Sequence, residues 1–333
     1  MDEMPQRDEK PKSKKSLVLT LVLLAAGVTA AVGAYFYANP VGIGIYLARQ
    51  GLIRAGLEKR EIDGPRGKLA YFRSQEGAGG APLVLIHGVG NQAASWVKVA
   101  GDLSLSRRLI LPDLAGHGQS GPAEGPIAMA DLVNGLGAVL DAEKIESGAV
   151  LVGNSMGGWV AMRYALAYPG RVSRLVLVDS SGIYADLGGI TLLPKNRDEA
   201  AALLEAIGAG NEPLPAGFVL DDLIEKIGEG ATPRVVAGLK AEDFLEKDLS
   251  RLETPADLLW GAEDKLLPLA YARRLEAMIP RARLTEMPGV GHVPQQQNPA
   301  LFAAKLKEIL AAEPPAPRPA PELPPVEAAA PAP

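Results

Sequence analysis

Short apolar runs recur along the middle of the chain, at residues 83–86, 108–111, 149–152, 174–178, 257–260 and 282–287, each bounded by turn residues. Between most of them the apolar positions fall instead at three- and four-residue spacing, as in 129–143, 156–168 and 269–278. The first pattern is that of strands buried on both faces, the second that of amphipathic helices. Strand and helix in alternation predict an α/β domain, a mostly parallel sheet with helices on both faces. Residues 181–251 break the alternation, because helical periodicity and turns continue there without a convincing strand. An insertion of that size between two successive strands is expected to be a lid or binding element.

The two ends follow neither pattern. No charged residue occurs from Ser16 to Ala48, and 16–38 is continuously apolar or small. As a helix rising about 1.5 Å per residue, that stretch reaches roughly 34 Å, enough for the hydrocarbon core of a bilayer. It is longer than a signal-peptide core of about 7–15 residues. It also ends in Tyr35-Phe36-Tyr37, which suits an interfacial belt, so an uncleaved transmembrane anchor is expected rather than a removed signal. Lys12, Lys14 and Lys15 directly precede the span, which keeps the N-terminus cytoplasmic and puts the rest of the chain across the membrane. Residues 39–60 place Ile45, Leu52, Ile53 and Leu57 among Arg49, Arg54 and Lys59, a helix that either lies on the membrane surface or packs in the ordinary way. At the far end, 314–333 holds nine of the chain's 28 prolines, so 313–333 is expected to be an extended, disordered tail outside the fold. The expected organisation is a charged tail (1–15), an anchor (16–38), an amphipathic juxtamembrane helix (39–60), one large domain (61–312) and the tail.

Composition removes several chemistries. With no Cys, disulfide frameworks, thiolate nucleophiles and Cys-ligated metals are excluded. A net charge of -5 without a Lys/Arg stripe in the body gives no footprint for nucleic acid. No His-Glu-x-x-His spacing occurs, so neither a metal nor a cofactor is expected. Only His87, His117 and His292 are available for imidazole chemistry.

Gly153-Asn154-Ser155-Met156-Gly157 joins the run 149–152 to the helical pattern that follows. A Ser on so sharp a strand-to-helix turn is held out above the sheet, and the helix start points free N–H groups at any oxyanion formed there. Ser155 is therefore the candidate nucleophile, and it needs a base oriented by a carboxylate. His292 follows the last strand and is the candidate base, whereas His87 and His117 sit in Gly-flanked turns upstream. Asp264 follows the run 257–260 and completes the chain order Ser, Asp, His, with Asp179 at the end of 174–178 as an alternative acid and Glu263 a solvated neighbour. Gly88-Val89-Gly90 after the run 83–86 superficially matches a dinucleotide loop, but no acidic residue ends the next strand in a ribose-binding place. The competing reading is an oxyanion loop, the Val89 N–H joining that of Met156.

Together, His87-Gly88-Val89-Gly90 with Trp96, Pro112-Asp113-Leu114-Ala115-Gly116-His117-Gly118-Gln119-Ser120, the turn at Ser155, Asp264 and His292 resemble the α/β-hydrolase superfamily, over about residues 61–312. The anchor, the Gly-Asn-Ser-Met-Gly-Gly turn and the helical insertion further resemble membrane-anchored monoacylglycerol lipases and related bacterial lipases. That resemblance implies hydrolysis of carboxylic esters through an acyl-enzyme on Ser155, oxyanion donors at Val89 and Met156, and a cap at 181–251; with the anchor oriented by its flanking lysines, a single-pass inner-membrane protein with its catalytic domain in the periplasm is expected. A Ser at the turn argues against haloalkane dehalogenases and epoxide hydrolases, which are similar but use Asp there. A carbon-carbon hydrolase of meta-cleavage type, or a binding protein that has lost turnover, would carry the same framework.

Overall fold

The computed structural model describes residues 27–29, 33–75, 79–208 and 213–317. Among them, eight strands form one sheet in the order β1-β2-β4-β3-β5-β6-β7-β8. β1 (Glu58–Gly64) and β2 (Gly67–Arg73) form an antiparallel hairpin, and β2 meets β4 (Leu109–Pro112) antiparallel. β3 (Leu83–Ile86), β5 (Ala149–Asn154), β6 (Val172–Val178), β7 (Ala256–Gly261) and β8 (Ala282–Met287) continue the sheet in parallel. Every residue of β3, β4, β5 and β7 is buried, which is why those strands read as unbroken apolar runs.

Successive strand side chains point to opposite faces, so each run feeds two cores. Val84 and Ile86 pack on one face with α3 (Met129–Ala142), α4 (Met156–Ala167) and α8 (Leu269–Met278). Leu83 and Leu85 pack on the other with α1 (Pro40–Arg54), α2 (Val97–Ser104) and α10 (Pro299–Ala311). The insertion between β6 and β7 forms α5 (Arg197–Ile207), α6 (Gly217–Glu229) and α7 (Ala231–Gly238), with no strand among its described residues. Asn196 caps α5, its side-chain oxygen accepting the Glu199 N–H at 2.9 Å.

Residues 39–60 do not form one helix. α1 ends at Arg54, where Gly56 (φ +85°) takes the left-handed conformation. The Gly56 N–H reaches Ile53 O (3.0 Å) and the Leu57 N–H reaches Leu52 O (3.1 Å), the paired bonds of a Schellman stop, with Leu52 and Leu57 both buried. Residues 58–60 then open the hairpin that the periodicity did not reveal, since β1 is largely exposed and charged. α1 is thus a packing helix, although Tyr46, Leu47 and Ile53 remain exposed on it. Of the expected anchor, 16–26 and 30–32 lie outside the described residues, as do 1–15 and 318–333. No single described helix is long and apolar enough to cross a membrane, whereas Gly27–Ala38 and Pro40–Arg54 pass that test together but bend by 92°. The fold also reaches past 312, because Pro315 is buried and its carbonyl accepts from Arg281 Nε at 3.2 Å.

The Pro112-to-Ser120 motif is a scaffold. Asp113 Oδ1 and Oδ2 accept the N–H groups of Ala93 and Gln119, each at 2.8 Å. Gly118 (φ +55°) is required beside it, since a Cβ there would sit 2.3 Å from Asp113 Oδ2. Ser120 Oγ donates to Asp113 O (2.7 Å) and accepts from Ala70 N–H (2.9 Å), tying this loop to β2.

Buried Asp257 on β7 binds Arg174 Nε of β6 at 2.7 Å and Arg283 of β8 at 2.6 Å. Removing that carboxylate leaves buried Arg174 without its counter-charge. Asp257→Ala is expected to lower the unfolding free energy by about 3–5 kcal/mol, measured by denaturant titration.

Candidate active site

β5 ends at Asn154 and α4 begins at Met156, leaving Ser155 alone on the turn at φ +54°, ψ −122°. Among the described residues only Lys144, Ser155 and Asp179 are non-glycine residues at positive φ. The flanking glycines answer a close approach of α4 to the sheet. A Cβ on Gly153 would lie 2.4 Å from the Gly157 backbone, one on Gly157 would lie 2.2 Å from Ile86 O, and one on Gly158 would lie 2.0 Å from Ser180 Oγ. Met156 is the first residue of α4, so its N–H has no intrahelical acceptor. Val89 comes from the loop after β3 and, with Met156, Ser155 and His292, lines one cavity of about 420 Å³.

His292 and Asp264 sit on the loops after β8 and β7. His292 Nδ1 lies 2.7 Å from Asp264 Oδ2, while Asp264 Oδ1 accepts the Leu266 and Leu267 N–H groups, both at 2.9 Å. The pair is buried, and the Nδ1 contact leaves Nε2 as the imidazole nitrogen available to a hydroxyl. Asp179 lies at the end of β6 beside this pair, and Asp179, Asp264 and His292 each bring one polar side-chain atom within 4.8 Å of the others. It is Asp264, however, that accepts from His292 Nδ1, and Asp179 Oδ1 instead accepts the Gly261 N–H at 2.7 Å.

Two positioning residues escaped the sequence reading. Asn154 Nδ2 donates to Val178 O (3.1 Å) and His292 O (2.9 Å), and its Oδ1 accepts from Gln295 Nε2 (3.1 Å) of α9 (Pro294–Gln297). Asn154 therefore joins the serine's strand, its neighbour and the histidine loop. Its place inside the Gly-x-Ser turn was the available signal, whereas Gln295 had none. The carbonyls at the C-terminal end of α5 also find partners here, since Ala206 O accepts the Lys265 N–H (3.2 Å) and Ile207 O accepts the His292 N–H (2.8 Å). Gly291 permits that contact, because a Cβ there would lie 2.5 Å from Ile207 O.

His87 and His117 are buried with ring centroids 5.1 Å apart. His87 Nδ1 donates to Gly88 O (2.8 Å) and Nε2 accepts the Leu114 N–H (3.0 Å), which uses both nitrogens of the neutral ring. Burial pushes the His87 pKa down to about 4. Burial first, then the neighbouring His87, pushes His117 down to about 3. The cavity itself is walled by cap residues such as Leu203, Leu204, Leu223, Ile227 and Val235, and among the described residues no Lys, Arg, Asp or Glu lines it. A hydroxyl and an imidazole held by a carboxylate, beside two backbone N–H groups in an apolar cavity, can together attack an acyl carbonyl and hold the oxyanion.

Residues 83–305 match the family described as Alpha/beta hydrolase family. The chain is 32% identical over 264 residues to an uncharacterized protein of Mycobacterium tuberculosis, covering 70% of this chain and 76% of that protein. It is 31% identical over 256 residues to the 2-hydroxymuconate semialdehyde hydrolase of a Pseudomonas species, covering 70% and 87%. Among solved structures it is similar to a membrane phospholipase A, described as a bacterial virulence factor, with TM-score 0.73 and 25% identity over 89% of this chain and 98% of that one.

Asn154→Ala removes the links to both neighbouring elements and is expected to lower kcat/KM toward whatever acyl substrate is used by on the order of 10- to 100-fold, read in steady-state assays. A second expectation concerns acid. Both buried imidazoles titrate below the ordinary 6.5, so the unfolded chain takes up protons that the folded chain refuses. Stability contributed by the neutral rings is full above pH 6.5 and is lost as pH falls toward about 4 for His87 and about 3 for His117. Tm should drop across that window, and less steeply in His117→Gln, as followed by circular dichroism.

Proposed function

Because the chain belongs to the Alpha/beta hydrolase family, we propose that it is a serine hydrolase of uncharged, lipid-like carboxylic esters such as monoacylglycerols, held at a membrane by its N-terminal segment. The observation that carries this reading is Ser155, at positive φ on the β5–α4 turn and opening on an apolar cavity that His292, paired with Asp264, also lines.

In the proposed reaction His292 Nε2 takes the Ser155 proton as Oγ adds to the ester carbonyl. The resulting oxyanion is held by the Val89 and Met156 N–H groups, and Asp264 faces the imidazolium at Nδ1. Collapse returns the proton to the departing alcohol and leaves an acyl group on Ser155. A water deprotonated by the same imidazole then attacks that acyl group, and the acid departs as the Ser155 hydroxyl regains its proton. The apolar lining suits the acyl chain, and the insertion 181–251, its connecting segments together with α5, α6 and α7, supplies most of it.

A second reading, carbon-carbon cleavage of meta-cleavage products, draws on the relative named a 2-hydroxymuconate semialdehyde hydrolase. Such a muconate-type substrate carries a carboxylate, and a carboxylate buried in this cavity would find no Lys or Arg along its lining among the described residues. The ester reading is therefore the better supported. Membrane attachment draws on the apolar stretch 16–38, on the bent pair of helices that passes the span test, and on the likeness to a membrane phospholipase. In this reading the chain is a single-pass inner-membrane protein with its catalytic domain on the periplasmic side.

The test is fluorophosphonate labelling of the full chain with mapping of the modified residue, alongside p-nitrophenyl esters of increasing acyl length in detergent. Labelling at Ser155, turnover that peaks at one acyl length, and loss of both in Ser155→Ala, with kcat falling by about 10⁴-fold or more, are expected. Labelling with turnover of dienoate ring-fission products but not of esters would select the second reading, and an unlabelled protein would strike out both.

A further inference from the structure

Asp179 is a buried carboxyl for which the proposed reaction has no use. It is fully buried at the end of β6, in a positive-φ conformation (φ +43°) that β-carbon residues rarely adopt. Such a conformation persists only where the surroundings over-determine it, and those places cluster at functional sites. One carboxyl oxygen, Oδ1, accepts the Gly261 N–H at 2.7 Å, and the other, Oδ2, has no hydrogen-bond donor although it is sealed from water. The charged or titratable groups that face it are Asp264 and His292, each presenting a polar atom within 4.8 Å.

Two ionised carboxylates in that space would both be acceptors with no proton between them, and one neutral imidazole cannot balance two buried negative charges. A single added proton resolves both problems. The hydrogen bonds say which carboxyl carries it. Asp264 receives two backbone N–H groups and the His292 ring, an environment that favours its charged form. Asp179 receives one N–H only. We propose that Asp179 is a positioning residue that holds a proton at neutral pH, its carboxylic O–H donating to the Asp264 carboxylate, so that the two carboxyls place one negative charge behind His292. Burial, then the charge of Asp264, pushes the Asp179 pKa well above the carboxylate range, in keeping with that arrangement.

This inference rests on the reading of Asp264 and His292 as partners of Ser155. Within it, the Asp179 O–H draws on the lone pairs of Asp264 and lowers its basicity, so the proton on His292 Nδ1 stays on the ring when Nε2 takes up the serine proton. Without that donor Asp264 would hold the imidazolium more strongly.

Infrared difference spectroscopy of the full chain at neutral pH, wild type minus Asp179→Asn, tests the proton directly. A protonated-carboxyl C=O band present in wild type and lost in the variant is expected, and the absence of such a band overturns the proposal. Asp179→Ala should lower kcat/KM by on the order of 10-fold and move the acid limb of its pH profile upward, with Asp179→Asn, whose amide can donate in place of the O–H, rescuing both. A loss in Asp179→Asn as deep as that in Asp264→Asn, on the order of 10⁴-fold for a wrongly held imidazole, would mean that Asp179 acts as a charged acid and would refute the inference. Should the Asp179 variants not fold, Asp264→Asn provides the same test, because removing the adjacent charge must shift loss of the Asp179 band to lower pH, and an unshifted band refutes the proposal. Fluorophosphonate labelling of wild-type Ser155, run in parallel, separates the two ideas: a missing label strikes the hydrolase reading, whereas the band judges the proton.

Discussion

A serine held at φ +54°, ψ −122° occupies backbone space that costs on the order of 1–3 kcal/mol, and it stays there only because everything around it is committed elsewhere. The Ser155 N–H is bonded to Val178 O at 3.0 Å, and its carbonyl accepts from Gly158 (3.0 Å) and Ser181 (3.1 Å). β5 is paired on both sides, with β3 and β6, so the strand cannot slide to relax the turn. Three glycines then let α4 close onto β3 and β5 at distances that a methyl group would forbid. Relaxing the serine would therefore mean unpairing the middle of the sheet or lifting α4 off it, and each costs more than the strain. The same closeness brings the start of α4 beside the loop after β3, which is what puts Met156 and Val89 on one cavity.

That constraint explains which parts of the molecule could be read from the chain. A strand buried on both faces must be apolar throughout, and β3, β4, β5 and β7 announce themselves that way. A turn that admits only Gly on either side of Ser leaves a spaced signature, so Ser155 could be located without coordinates. Asp264 and His292 were legible because each follows an apolar run, and chain order then ranked them. The β1–β2 hairpin was hidden because its exposed edge carries Glu58, Lys59, Arg60 and Glu61, and charged side chains at an edge break the alternation that marks a strand. Asn154 and Gln295 were hidden for another reason. Their roles depend on partners 138 and 141 residues away in the chain, and no local pattern encodes such a bond.

Electrostatics sort the polar groups of the site into two kinds. His87 and His117 are kept neutral by burial, and the Asp113 carboxyl is likewise pushed upward by burial even as it accepts two backbone N–H groups. These residues hold loops. His292 differs in having a carboxylate against Nδ1, which makes it the one described imidazole whose protonated form meets a counter-charge at hydrogen-bond distance. His87 Nδ1 and His117 Nδ1 meet backbone carbonyls instead, although all three rings are buried.

Two of the ties that hold the cap bear on the same cavity. On one side, the carbonyls of Ala206 and Ile207 at the end of α5 receive the N–H groups of Lys265 and His292, on the loops that carry Asp264 and His292. On the other, buried Asp222 of α6 accepts the Val41 N–H at 2.8 Å, at the start of α1, where a helix has free donors and favours an anion. Phe218 of α6 stacks on Tyr37 with ring centroids 4.5 Å apart. α6 also gives Leu223 and Ile227 to the cavity wall, and α1 is fixed to the sheet through buried Leu52. The cavity wall is therefore bonded to the segment leading toward the apolar N-terminal stretch on one side and to the loops of Asp264 and His292 on the other. A cap held this way is positioned by the N-terminal segment as well as by the hydrolase body, which makes residues 37–54 part of the architecture of the cavity and not a mere connection to it.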